Sequence, residues 1–598
     1  MKKLCQIDGK KLDIVLPLFL TLFSLAGINQ GADLTDTTYS LGNYLFFNEL
    51  GGEWIYATFL ANVLGHLLML LTGGKMIWMN AAGRGIILLT SLIVYFAMKD
   101  RIPRGILFAG EVLAIGLCWC PGVIFYNYLT YLLLTAAAVV LYKAVLTKKS
   151  GLFLAAGLLL GVNVFVRISN LTEMALILVV WYGLMVSEKS QEKGIFWKQT
   201  GLCIAGYLSG ILTGLLLMFA TIGMQGYTRM ITWLFSLFTS GEDAGGYSMT
   251  GMLGTILDNY LGNLRWLFLV LLGISMGMIM FCIKKECLEK WKKLFYMAGI
   301  ILLGIYFYRN GVFDFKYYNV GSIFHLSVVA FLMEYILCIV LMFHKKGEKE
   351  DKLLAAIAVI ILLITPLGSN NHLYTCINNM FLTAPFGIYA GYRLWGFYRD
   401  RGWIFPCSSM GIAFVMLLLV QSVMFHQYFV FRDGIGGEKR DTVIATEDRY
   451  GYLNGMKTNR EHAEAIEGLT EYAAEALLEH EYLLTYGNLP GTNYLLHKLP
   501  ALTTIWPDLE SYDKEQFQSE LEALAVGGMT GSEKWPVLIL SPQIAAYVTE
   551  DAEGMEYLGV DPATYREDEK ANALSEFILQ NGYGETYSNA EFVVFMIP

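Results

Sequence analysis

Thirteen apolar runs decide what this chain can fold into. They lie near residues 14–30, 80–98, 105–121, 128–146, 151–166, 171–186, 200–221, 266–283, 294–308, 323–343, 353–367, 378–394 and 403–425. Crossing about 30 Å of hydrocarbon as helix takes about 17–25 such residues. A helix also satisfies its own backbone where no water can. The runs therefore predict a polytopic, all-α membrane body over residues 1–425, with about thirteen transmembrane helices. Charged residues make up only 16% of the chain against 55% hydrophobic ones, which excludes an ordinary soluble protein.

One further apolar stretch, 54–72, tests the count, because a span there would invert every later loop. Loop charge settles its reading. With 54–72 lying on the outer surface as an interfacial helix, the basic clusters fall on one side. They are Lys2–Lys11, Lys99/Arg101/Arg104, Lys143/Lys148/Lys149, Lys189/Lys193/Lys198, Lys284–Lys293, Lys345–Lys352 and Arg393/Arg399/Arg401. About 25 Lys and Arg residues are then inside and about seven outside. The N-terminus is expected in the cytoplasm and the C-terminal region outside, in a multi-pass cell-membrane protein. No small-residue cleavage site follows the first run, so it is expected as a retained span.

Residues 426–598 differ in kind. They hold about 30 acids against about 11 bases, which predicts an acidic, extracytoplasmic, water-soluble domain. "EYLLTYGN" (481–488), "WPVLILSP" (535–542) and "AEFVVFMIP" (590–598) have the pattern of buried strands. "NREHAEAIEGLTEYAAEALLEH" (459–480) is an amphipathic helix pattern, so the domain is expected to be α/β. It contains no Gly-rich phosphate loop and no GxSxG. Asp508 and Glu510 fit turns and caps better than chemistry. All nine cysteines lie in the body, and Cys118-Trp-Cys120, with no second Cys/His pair nearby, reads as buried small side chains. Nothing in the charge pattern suits a nucleic-acid partner.

The outer loops are 31–79, 222–265, 309–322 and 368–377. Just beyond the first helix, "GADLTDTTYS" carries Asp33 and Asp36. A carboxylate there can cap a helix, bind a cation or take a proton from a hydroxyl nucleophile. Arg84, Arg167, Arg229, Arg265, Arg309 and Lys316 are bases set on the outside against the charge rule, beside His372. Pairing with a phosphate is the functional reading of such bases, and loop ion pairs or headgroup contacts the bland one.

This arrangement resembles membrane glycosyltransferases of the GT-C class, in the protein mannosyltransferase and aminoarabinose transferase branch. "TDTTY" offers Asp36 and Tyr39 where that branch has Asp-Glu followed by a Tyr. "LTGGKMIWMNAAGRG" (71–85) resembles its passage into helix two, with Arg84. "NNMFLTAPFGIYAG" (378–391) resembles a late Arg-Tyr-x-x-Pro segment, with Asn378 or Asn379 in place of the Arg. The resemblance implies an inverting transfer of sugar from a polyprenyl-phosphate donor to a cell-envelope glycan or protein. It makes Asp36 or Asp33 the general base, and gives Arg309, Lys316, Arg84, Arg229, Tyr39 and His372 to substrate. A divalent cation, Mg or Mn, is compatible with the class, though no His cluster demands one. The competing readings are a transporter or flippase, marked by the mid-helix acids Glu111 and Glu334, and a membrane scaffold whose outer domain binds wall material.

Overall fold

Each of the thirteen apolar runs contains helix in the computed structural model, which describes residues 9–50, 53–186, 193–239, 249–283, 288–368, 371–510, 512–526, 535–561, 565 and 568–597. The first part runs α1 (Gly9–Leu25), α2 (Asp36–Leu45), α3 (Glu53–Ala57), α4 (Phe59–Thr72), α5 (Met76–Met98), α6 (Arg104–Gly116), α7 (Phe125–Thr147) and α8 (Ser150–Asn163). A 3₁₀ segment, Ile168–Ile177, then leads into α9 (Leu178–Met185). The body closes with α10 (Lys193–Thr239), α11 (Met249–Cys282), α12 (Glu289–Arg309), α13 (Gly321–Phe343), α14 (Lys349–Ile364), α15 (Tyr374–Asn378), α16 (Thr383–Tyr398) and α17 (Ile404–Tyr428). Among the described residues seven helices are long and apolar enough to cross a membrane by length and composition.

Helix packing follows membrane rules, where close backbone approach replaces the hydrophobic drive available in water. "GLLLG" on α8 and "GYLSG" on α10 face each other. A Cβ on Gly157 would sit 2.0 Å from the Cys203 carbonyl oxygen, and one on Gly206 would sit 2.1 Å from that of Leu154. No larger residue fits at either place. On α4, Leu67, Leu70 and Leu71 are exposed while Phe59, Ala61 and Met69 are buried, so the stretch 54–72 is two short helices with an outward apolar face.

After Tyr428 the chain forms a small sheet domain. Strands β1 (Thr442–Val443) and β2 (Lys457–Thr458) pair antiparallel. A five-stranded sheet combines β3 (Tyr482–Tyr486), β4 (Leu499–Pro500), β5 (Val537–Leu540), β6 (Gly584–Ser588) and β7 (Val593–Met596) in the order β4-β3-β5-β7-β6. The three strands expected from sequence are β3, β5 and β7, and the expected helix is α18 (Arg460–Ala476). Strand β3 is parallel to both its neighbours, and β7 is antiparallel to both of its own.

This domain is fused to the body rather than tethered. One apolar cluster joins Leu34, Leu41, Tyr44, Met76 and Phe125 of the body to Ile444, Leu469, Tyr494, Ile539 and Phe592 beyond it. The Tyr494 hydroxyl donates to the Gly74 carbonyl at 2.7 Å, and the Gly491 amide to that of Leu34 at 3.0 Å. The loop after α1 is bonded to β2 in both directions: Gly31 N–H to Lys457 O, and Lys457 N–H to Asn29 O, each at 2.8 Å. The segment that carries Asp33 and Asp36 is thereby held from both sides.

Candidate functional site

Where α1, α5, α6 and α17 end on the domain's side of the body, they leave a cavity of about 70 Å³. A few water molecules or one phosphoryl group would fill it. Its polar lining includes Gln30, Asp33, Asn80, Arg84 and His426, with Trp119 and Phe431 among its walls. Local chemistry fixes each side chain. Asn80 and Arg84 sit one turn apart on α5, and Asn80 donates to the Ile28 carbonyl at 2.9 Å, tying α5 to the loop after α1. The His426 imidazole donates through Nε2 to the Phe23 carbonyl at 2.7 Å.

The wall from Trp119 to Gly122 reaches the cavity because position 83 is glycine. A Cβ there would lie 1.4 Å from the Gly122 carbonyl oxygen, so any other residue pushes the loop off α5. Asn378 holds the same loop from the far side. Its Oδ1 accepts from the Trp119 amide at 2.8 Å, and its Nδ2 donates to Cys120 Sγ at 3.1 Å. Trp119 in turn stacks on Phe431, with ring centroids 5.8 Å apart.

Arg84 is the chemical feature of this cavity. Its Nη1 is buried without a hydrogen-bond partner, and no carboxylate among the described residues forms an ion pair with it. Buried donors are nearly always satisfied, and a guanidinium suits the oxygens of carboxylate or phosphate. A cavity of this size lined by Arg84, whose guanidinium keeps a buried unsatisfied N–H, has the chemistry to accept an anion, with Asp33 as the acid in its lining.

The two aspartates have different environments. Asp33 is buried, and it accepts from Thr35 N at 2.9 Å, Thr35 Oγ1 at 2.5 Å and Thr37 N at 2.8 Å. It thereby satisfies amides that α2 leaves open at its start. Asp36, in the first turn of α2, makes no hydrogen bond through Oδ2, which lies 3.4 Å from Arg432 Nε. Burial raises the Asp36 carboxyl above its ordinary value, Arg432 pulls it back, and the neighbouring Asp33 charge adds to the rise. Tyr39, one turn along the same face, packs edge-on against Trp506 of the domain, and burial pushes its hydroxyl up to about 12.

Three residues beyond Tyr428 pin this segment. Asp433 accepts from the Ala32 amide at 2.7 Å and from Thr458 Oγ1 at 3.0 Å. His462 Nε2 donates to the Ala32 carbonyl at 2.9 Å, while its Nδ1 lies 2.7 Å from Glu591. Burial opposes an imidazolium here, but the Glu591 hydrogen bond and charge prevail, with the Ala32 carbonyl and Asp433, and raise His462 from 6.5 to about 9. A raised base stabilises the fold fully below its unfolded value and loses that contribution as pH climbs through the folded one. Thermal stability should therefore drop between about pH 6.5 and 9. In His462→Gln that slope should flatten, and an identical alkaline slope in both proteins would remove His462 from the contact.

Asp36 and Tyr39 do not line the cavity, and the other expected residues are dispersed. Arg309 ends α12 and is exposed, as is Lys316 in the following loop, whose amide donates to Asp314. Neither lines the cavity. His372 has φ +48° and a buried Nδ1 with no hydrogen-bond partner; it too lies outside the cavity lining. The side chain of Arg229 lies outside the described residues. Sequence reasoning did not single out Arg432, Asn378's hold on the loop, or His426. The pair Arg432-Asp433, placed directly after the last apolar run, was the available signal, but its partners at Asp36 and Ala32 are some 400 positions away.

No group of three or more His, Cys, Asp or Glu side chains among the described residues is placed to hold a metal ion.

No protein-family model matches this sequence, and no curated protein matches it. Among solved structures the chain is similar to ArnT from Cupriavidus metallidurans, whose crystal structure has undecaprenyl phosphate bound. The identity is 11%, the alignment covers 99% of this chain and 98% of that one, and the TM-score is 0.43.

Proposed function

We propose that this protein is a membrane glycosyltransferase that moves a sugar from a polyprenyl-phosphate donor to a hydroxyl acceptor of the cell envelope. The observation that carries the reading is the Arg84 cavity: a buried guanidinium with an unsatisfied N–H, at the ends of membrane helices, in a cavity whose lining includes Asp33.

The chemistry assigns a role to each part. The donor phosphate sits against Arg84, whose charge stabilises the phosphate as it leaves with the lipid. The acceptor hydroxyl is far too weak an acid to ionise alone near neutral pH, so a base must take its proton as it attacks the anomeric carbon. Asp36, on the segment beside the cavity but not in its lining, has a carboxylate oxygen with no hydrogen bond, 3.4 Å from Arg432, and the raised proton affinity for that step. Attack from the face opposite the departing phosphate inverts the anomeric centre. Asp33, engaged by three donors, holds the start of α2 and so orients Asp36. The excess of loop bases on one side supports an orientation with this cavity and the acidic domain, residues 426–598, on the outer side of the membrane and the N-terminus in the cytoplasm.

The test is lipid binding. Losing a charge-assisted contact costs about 1.5–3 kcal/mol, or tenfold and more in affinity. Purified Arg84→Gln should bind polyprenyl phosphate at least that much more weakly, while Arg84→Lys, which keeps the charge, should retain part of it. Equal binding by wild type and Arg84→Gln would take the donor phosphate out of this cavity.

A further inference from the structure

Two of the outward bases found in the sequence, Arg265 and Arg309, have no part in the Arg84 cavity; Arg265 lines another opening, and Arg309 is the exposed chain neighbour of Asn310 at its edge. Leu264, Arg265, Trp266, Tyr306 and Asn310 line a groove of about 460 Å³ between α11 and α12. Its place in the bilayer follows from its neighbours. Arg309 and Asn310 end α12, and the loop beyond them returns to the end of α17, where Tyr317 stacks on Tyr428 with ring centroids 6.4 Å apart. The groove is therefore at the same end of the body as the sheet domain, at the level where membrane helices emerge.

Its two halves have different chemistry. Leu264, Phe268, Ile305 and Tyr306 are exposed, so the wall running along the helices is apolar and open to lipid chains. At the top, the Arg265 guanidinium lies over the Trp266 ring, 4.3 Å from its centroid. Trp266 is itself buried and fixed edge-on against Phe307 at 5.7 Å, so Arg265 rests on a rigid platform. No carboxylate among the described residues forms an ion pair with Arg265 or Arg309. Two uncompensated cations and an amide above an apolar channel match the two ends of one molecule.

We infer that this groove is a binding site for an anionic phospholipid, whose phosphate pairs with Arg265 and Arg309 while an acyl chain lies along Leu264, Phe268 and Tyr306. Tryptophan and arginine at this level are suited to the headgroup region. The bases counter the lipid's charge where no acid of the protein does. The site is separate from the donor cavity and stands whether or not the transferase reading does.

The experiment uses the full-length protein in nanodiscs made from equal parts phosphatidylglycerol and phosphatidylcholine, with the retained lipids read by native mass spectrometry. Wild type should retain phosphatidylglycerol preferentially. Arg265→Gln combined with Arg309→Gln should lose that preference by about tenfold, the scale of a charge-assisted contact. Arg265→Lys should keep most of it, which separates charge from packing on Trp266. Arg84→Gln should leave it unchanged. Equal retention of the two lipids by wild type, or the same preference in the double variant, would overturn the inference. So would loss of the preference in Arg84→Gln, since the lipid would then occupy the other cavity.

Discussion

Asp36→Asn should insert and fold as the wild-type protein does and lose about 10²–10⁴-fold in sugar transfer, the usual consequence of removing a general base. The geometry makes this substitution informative. Asp36 Oδ2 accepts no hydrogen bond, so an amide in its place breaks no cap, and the contact it loses is with the half-exposed Arg432. An ion pair whose base is half-exposed to water contributes little to stability. Asp33→Asn is the internal comparison. It replaces an acceptor of three hydrogen bonds, two of them at Oδ1 and one at Oδ2, so one of its oxygens becomes a donor facing a donor. That variant should lose stability first and activity only through it. The measurement is glycosylation of the native acceptor in cells, with protein levels followed in the membrane fraction. Full transfer by Asp36→Asn would leave the reaction without its base. Because burial raises the Asp36 carboxyl, transfer should also fall as pH drops through its raised value, where the protonated acid cannot accept.

The parts of the molecule legible in sequence are those written locally. A span announces itself by twenty apolar residues in a row, and α5, α7, α13 and α17 were placed to within a few residues for that reason. Strands β3, β5 and β7 were legible because buried strands are short apolar runs between turn residues, whereas β4 and β6 carry no such run. The site was half legible. Arg84 and the two aspartates stood out by residue type against their surroundings. The residues that hold their surroundings did not, because Asn378 reaches Trp119, Arg432 reaches Asp36, and Asp433 and His462 reach Ala32 across hundreds of positions. No spacing rule could separate the roles of Asp33 and Asp36 either. That distinction comes from which carboxylate the Thr35 and Thr37 amides face, a matter of three-dimensional turn geometry.

The largest stability effect is expected far from that site, at Asp351. This carboxylate is fully buried at the start of α14, where membrane helices allow few charges. It survives because its charge is shared. Arg101 Nε donates to Oδ1 at 3.0 Å, Arg393 Nε to Oδ2 at 2.8 Å, and the Tyr389 hydroxyl to Oδ1 at 2.8 Å. Glu348 bridges the same two arginines from the rim, at 2.8 Å from Arg101 and 3.1 Å from Arg393. Two carboxylates and two guanidinia thus form a neutral box that joins α14, α16 and the loop between α5 and α6. Removing one member of a buried pair costs about 3–5 kcal/mol, because the partner charge stays behind without compensation. Asp351→Ala leaves two arginines with one acid at the rim, so the lower end of that range, about 3 kcal/mol, is expected. The apparent melting temperature in detergent should fall by several degrees, and Asp351→Glu, which keeps the charge, should fall less. Glu348→Gln is the contrast: its carboxylate is more than half exposed, and water can replace what it supplied. A melting temperature unchanged in Asp351→Ala would mean that the box adds no stability, and that its four charges serve only to set the register of α14 against α16.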